Sequence, residues 1–193
     1  MHHPLQSVLG ISGSLSAPSR TTALVRAILA RFAPHAATRL VELAKVAPTL
    51  FAERPKLPRS GEADEIIQAV QTADLLVVGS PVYRASYTGA LKHLFDLVDY
   101  RSLENTPVLV CATGGTPLHG LMLDHQLRPL FAFFKSLVLP TSIYALESDF
   151  DRDALRSIDV SERIDRAAAE ARLQLNLVRT ASSETIASLV ATA

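Results

Sequence analysis

The chain has 193 residues, 48% apolar and 20% charged, the composition of one globular domain able to bury its own core. Nineteen basic residues balance nineteen acidic ones, so net charge provides no general field for nucleic acid or an anionic membrane. No run reaches the roughly 18 apolar residues of a membrane span, Met1 to Leu9 lacks a signal-peptide pattern, and a single cysteine excludes an internal disulfide, so a cytoplasmic protein is expected.

In chain order, the pattern predicts a strand at Gln6 to Ile11, a helix at Thr21 to Phe32 and a strand at Thr38 to Leu43. A Pro-rich loop follows from Val46 to Gly61, holding Pro48, Pro55 and Pro58. Next come a helix at Glu62 to Thr72, a strand at Leu75 to Gly79, and a helix at Ser86 to Val98 with an apolar stripe through Tyr87, Leu91, Leu94, Phe95 and Val98. A strand at Val108 to Ala112 leads into a long helix from Pro117 to Leu137, a fifth strand near Ser142 to Ala145 and a closing amphipathic helix at Ser161 to Val178. Residues 1–178 form the expected single domain and 179–193 a weakly patterned tail. Alternating strands and helices predict a doubly wound α/β fold, a five-stranded parallel sheet of flavodoxin-like order 2-1-3-4-5 with helices on both faces. Cys111, on an apolar strand, is expected to be a small buried hydrophobe. His2 and His3 form no metal tract, and no metal cluster is evident elsewhere.

Three apolar runs end in small-residue turns that open helices: Val8 to Ile11 into Ser12-Gly13-Ser14, Leu75 to Val78 into Gly79-Ser80-Pro81, and Val108 to Val110 into Ala112 to Gly115. Parallel strands present such turns at one carboxyl edge, where open α/β sheets bind ligands. From Gly13 to Thr22, the first turn carries five hydroxyls, one guanidinium and the free N–H groups of a helix start, a set suited to a phosphate monoester. An ordinary Ser/Thr helix cap accounts for one of those hydroxyls. No Asp or Glu occurs from Met1 to Val41, while Arg20, Arg26, Arg31 and Arg39 fall there, so this third is expected to be electropositive. Neither GxxxxGK[ST] nor GxGxxG is present, which disfavours a P-loop ATPase and a dinucleotide-binding turn.

Gly13-Ser14 followed by Ser19-Arg20-Thr21-Thr22, then Gly79 to Lys92, then Ala112 to Thr116, resembles the NAD(P)H-dependent FMN reductases, above all the flavin reductases of two-component alkanesulfonate and methanesulfonate monooxygenase systems. The resemblance spans roughly residues 5 to 150. It implies that Ser14, Ser19, Arg20, Thr21 and Thr22 hold the FMN phosphate and that Pro81, Val82, Tyr83 and Ser86 lie along or near the isoalloxazine. Thr113, Gly114 and Gly115 complete the ring site. The implied reaction is hydride transfer from NADPH or NADH to FMN, with no catalytic side chain assigned and no metal; His119 and Asp124 are neighbours without a role. The implied partners are an FMNH2-dependent monooxygenase and further copies of the chain in a homodimer or homotetramer. Nucleic acid and membrane are not among them. Two other readings stay open: a quinone, azo or metal-oxyanion reductase with tightly held FMN, and a flavodoxin-type electron carrier. Core packing also accounts for the stripe from Tyr87 to Val98.

In the helix after Gly115 an apolar face runs through Leu118, Leu121, Met122, Leu130 and Phe133, and His125 falls on it. Pro129 has no N–H, so the carbonyl of His125 loses its regular partner and a kink or π-bulge is expected there. The resemblance implies that such a bulge loosens the flavin site and helps set the oligomer; a buried histidine in a kinked core helix is the plainer alternative.

Overall fold

The computed structural model describes residues 7–55, 57 and 61–191, with side chains described through residue 176. Gln6 of the expected first strand, Pro58 of the Pro-rich loop, and His2 and His3 lie outside these residues.

β1 (Ser7–Ser12), β2 (Ala37–Glu42), β3 (Leu75–Pro81) and β4 (Pro107–Gly114) pair in parallel in the order β2-β1-β3-β4. The fifth position is divided. β5 (Leu137–Val138) pairs with Pro107 and Val108, and β6 (Ile143–Leu146) pairs with Cys111 to Gly114, both parallel to β4. Pro140 lies between them and has no N–H for a ladder, which accounts for the break. The sheet order is thus 2-1-3-4-5, with the expected strand near Ser142 to Ala145 found as β6 and a short strand before it that the pattern did not announce.

Alternate residues on buried parallel strands face opposite sides of the sheet, and two cores follow from that period. Leu76 and Val78 of β3 face one core with α2 (Leu43–Phe51), α3 (Gly61–Thr72) and α4 (Gly89–Leu97). Leu75 and Val77 face the other, with α1 (Arg20–Leu29) and α6 (Ile158–Ala191). Leu91, Leu94, Phe95 and Val98 of the expected stripe are buried in the first core, with half-buried Tyr87 packed against it.

Four boundaries differ from expectation. Helix α2 occupies the start of the expected Pro-rich loop, even though it contains Pro48. An interior proline costs about 3 kcal/mol, whereas burying Leu43 and Leu50 contributes about 1.5 to 3 kcal/mol each, so the apolar stripe prevails. Helix α4 starts at Gly89 rather than Ser86, because Thr88 caps it by accepting from the Leu91 N–H. Helix α6 continues past Val178 to Ala191, through a segment with no Gly or Pro to stop it.

The fourth difference is the long helix expected from Pro117 to Leu137, which is three short pieces. A 3₁₀ turn (Pro117–Leu121) leads into a π-helix (Leu123–Leu127) centred on His125, then α5 (Arg128–Phe133). The Arg128 N–H donates to the Leu123 carbonyl, the i→i−5 bond of a π-turn. The Arg128 side chain braces it, donating from Nε to Asp124 (2.7 Å) and from its guanidinium to the Pro140 carbonyl (2.7 Å). The extra residue re-phases the helix, so the buried side is Met122, Leu123, Leu127, Phe131 and Phe134. Of the expected apolar face only Met122 is buried; Leu118, Leu121 and Phe133 are exposed, as is His125.

Cys111 is fully buried against the second core, and that burial pushes its thiol well above the ordinary range. A thiol reagent should therefore label Cys111 in the native protein only as fast as the chain unfolds, measured by mass spectrometry against a sample in denaturant. Rapid native labelling would contradict this packing.

Among the described residues no helix is long and apolar enough to cross a membrane, and no group of three or more His, Cys, Asp or Glu could hold a metal ion.

Candidate functional site

The carboxyl ends of β1, β3, β4 and β6 border a cleft of about 470 Å³, within the roughly 300 to 1,000 Å³ common for small-ligand sites. Ser14, Ser19, Arg20 and Thr21 come to it from the turn after β1, Pro81, Val82 and Tyr83 from the end of β3, and Thr113, Gly114 and Gly115 from the end of β4. Thr22 and Ser86 do not line it. Thr22 faces the sheet, sharing a 2.8 Å hydrogen bond with the Ser12 hydroxyl, and Ser86 donates to Gln126 (3.4 Å) away from the cleft.

Hydrogen bonds between the turns fix their relation. The Gly13 N–H donates to the Gly79 carbonyl (2.7 Å), and the Thr88 hydroxyl donates to the Gly13 carbonyl (2.7 Å). Ser80 Oγ accepts from the Thr88 N–H and donates to the Pro81 carbonyl. Thr21 and Thr113 share a buried 2.6 Å hydrogen bond across the mouth of the sheet, tying the start of α1 to the end of β4. Ser19 caps α1 by accepting from the Thr22 N–H (3.3 Å) while also lining the cleft, so the capping and site readings coexist in one residue.

After β3 the chain makes a tight turn, with Tyr83 and Ser86 exchanging two backbone hydrogen bonds. Arg84 (φ 51°) and Ala85 (φ 62°) both adopt left-handed backbone there, a conformation usually left to Gly or Asn. The turn holds Tyr83 half-exposed at the rim. On β4, a Cβ at Gly114 would lie 2.4 Å from the Tyr144 hydroxyl, whereas one at Gly115 would meet nothing within 4 Å. Gly114 therefore admits Tyr144, whose hydroxyl donates to the Thr116 carbonyl (2.6 Å), and Gly115 leaves open backbone beside the cleft. Burial raises the Tyr144 pKa, keeping the phenol a donor. His119 Nδ1, next to Gly114, is a buried atom without a hydrogen-bond partner.

Two acidic residues that the sequence reading did not single out, Glu147 and Asp153, also line the cleft, and Glu147 is ion-paired with Arg20. Arg26 and Arg31 are paired as well, with Glu42 and Asp165. The expected electropositive third is therefore largely neutralised by carboxylates from elsewhere in the chain. The signal for Glu147 was its place directly after a strand of the same parallel sheet.

A parallel sheet of this order, with a hydroxyl- and arginine-bearing helix start and open glycine backbone lining the cleft at its carboxyl edge, defines a flavodoxin-like α/β protein. The chain belongs to the NADPH-dependent FMN reductase family, whose model matches residues 7–151. It is 48% identical over 174 residues to an NADH-dependent FMN reductase, SfnF, of Pseudomonas fluorescens, covering 88% of this chain and 91% of that one. It is 46% identical over 165 residues to an NADPH-dependent FMN reductase of Pseudomonas aeruginosa, covering 84% and 88%. Among solved structures, an oxidoreductase from Corynebacterium diphtheriae matches with a TM-score of 0.78 and 31% identity, over 90% of this chain and 98% of that one. The apo form of an NADH:FMN oxidoreductase, EMOB, matches with a TM-score of 0.73 and 30% identity, over 86% and 88%.

Proposed function

We propose that this NAD(P)H-dependent FMN reductase binds FMN in the cleft at the carboxyl edge and releases it reduced to a separate FMNH2-dependent monooxygenase of a sulfonate system. The observation that carries the site assignment is the convergence of hydroxyls, a guanidinium and a helix start on one side of the cleft with open backbone on the other. The donor set fits the group: Ser14, Ser19 and Arg20 would hold the phosphate, with Thr21 at the same turn. Pro81, Val82, Tyr83 and the Thr113-Gly114-Gly115 backbone would flank the ring. Bound FMN supplies the two-electron acceptor for the nicotinamide. The protein's contribution is to hold the two rings in register and to set backbone N–H groups beside the ring, which requires no acid, base or nucleophile. Release is supported by the openness of the site, where Arg20 and Tyr83 both reach solvent. Purified protein passed through gel filtration should emerge largely colourless; stoichiometric yellow protein that does not exchange its FMN would contradict release.

The proposed homo-oligomer rests on an apolar groove of about 850 Å³ between α4 and the π-helix, lined by Tyr87, Phe95, His125, Pro129, Leu130 and Phe133 among others. Phe133 in this lining is largely exposed, as are Leu118 and Leu121 of the preceding 3₁₀ turn, and a second copy of the chain is the proposed occupant. Deleting His125 should convert the π-helix to a regular helix, re-phase this face, shrink the assembly and strengthen FMN retention. Turnover should fall about ten-fold, the factor produced by about 1.4 kcal/mol of lost positioning. Light scattering, flavin content and steady-state rates check this together; wild-type values in all three would overturn the role of His125.

A further inference from the structure

The side chain that pairs with Arg20 is itself an anion in an anion site. Glu147 opens the 3₁₀ turn (Glu147–Asp149) after β6, where register sets Leu146 beside Gly114 at the cleft edge. Asp149 fixes that turn: its carboxylate accepts from the Leu146 N–H (2.7 Å), and its carbonyl accepts from the N–H groups of Arg156 (2.8 Å) and Ser157 (3.2 Å). The next segment, β7 (Phe150–Asp151) and β8 (Ala154–Leu155), brings exposed Asp153 to the same cleft. Two carboxylates thus stand opposite the hydroxyl-bearing turn, and one of them occupies the guanidinium.

We infer that Glu147 is a carboxylate latch that competes with the phosphate of FMN for Arg20 and so sets flavin binding weak, with Asp153 adding to the repulsion. This rests on the assignment of the cleft to FMN. Both partners are exposed, 42% for the Arg20 side chain and 68% for that of Glu147, so the ion pair is weak enough for a dianion to displace. Displacement still loses the pair and leaves a carboxylate beside the phosphate, and both costs reduce affinity for a phosphorylated flavin alone. Riboflavin, which has no phosphate, meets neither cost. Glu147 is therefore a specificity determinant that narrows the advantage of FMN over riboflavin and favours release.

The test is flavin fluorescence titration of the purified full-length protein with FMN and with riboflavin, using wild type, Glu147→Gln, Arg20→Ala and the double variant. Glu147→Gln should tighten FMN about five-fold at low salt, leave riboflavin unchanged, and lose most of the gain at high salt. Arg20→Ala should weaken FMN and reduce the effect of Glu147→Gln in the double variant to the part that comes from carboxylate–phosphate repulsion alone. If Arg20→Ala weakens FMN while Glu147→Gln leaves it unchanged or weaker, the latch is overturned and the site stands. Equal tightening of riboflavin and FMN also overturns it. If Arg20→Ala has no effect on FMN, Arg20 does not hold the phosphate, and the site assignment falls together with the latch.

Discussion

The double variant Arg20→Ala/Thr21→Ala should keep the fold and lose FMN by ten-fold to a hundred-fold or more. One or two charge-assisted hydrogen bonds to a partly solvated dianion are worth about 1.5 to 3 kcal/mol each, and each 1.4 kcal/mol is a factor of ten in affinity. Arg20 is exposed and takes no part in the core, so its loss should leave stability almost unchanged. Thr21 differs, because its hydroxyl is paired with that of Thr113, and removing it should cost about 1 kcal/mol of stability and free Thr113 to rotate. Calorimetric titration with FMN beside a thermal melt separates the two contributions. A variant that melts normally and binds FMN as wild type would reduce this turn to a helix cap.

Gly79→Ala should give a large stability loss for a single added methyl beside the site. A Cβ there would lie 2.5 Å from Val25 Cγ2 and 2.9 Å from Cys111 Sγ, both on fully buried side chains that cannot swing away. Overpacking of this kind costs about 1 to 3 kcal/mol, and at about 2 to 4 °C per kcal/mol for a chain of this size the melting temperature should fall by roughly 2 to 12 °C. The functional consequence follows from geometry. Val25 belongs to α1, so the methyl lifts that helix from β3, stretches the Thr21–Thr113 hydrogen bond and spoils the anion-binding turn. FMN affinity should therefore drop even where the variant is fully folded. Gly115→Ala is the control, since its Cβ meets nothing within 4 Å and its cost in stability should stay within about 0.5 kcal/mol. Equal melting temperatures for the two variants would contradict the close packing of α1 on β3.

Strand order and the position of the cleft were legible because both depend on repetition. Three apolar runs, each ending in small residues before a helix, leave few arrangements for a parallel sheet. Pro129 made the anomaly at His125 legible as well, since a missing N–H inside a helical pattern must be accommodated. What the pattern did not carry was non-local. Leu118 and Leu121 are exposed on a 3₁₀ turn and Phe133 beyond the π-helix, whereas strict 3.6-residue periodicity assigns all three to one continuous face. The partners of Arg20 and Arg31 lie more than 100 residues away in sequence, so a stretch without acids looked electropositive although the fold returns acids to it. Thr22 counted as a cleft residue by adjacency, but its position on the first turn of α1 directs it to Ser12. Helix α2 was missed because a proline was given more weight than the burial of Leu43 and Leu50.

Steady-state oxidation of NADH and of NADPH, with and without added FMN, on protein of measured flavin content, tests the central claim most directly. Protein containing little flavin should oxidise a reduced nicotinamide slowly alone and rapidly once FMN is supplied, with a rate that saturates in FMN. A rate independent of added FMN on protein with a full complement of bound flavin, or no nucleotide oxidation at all, would contradict it.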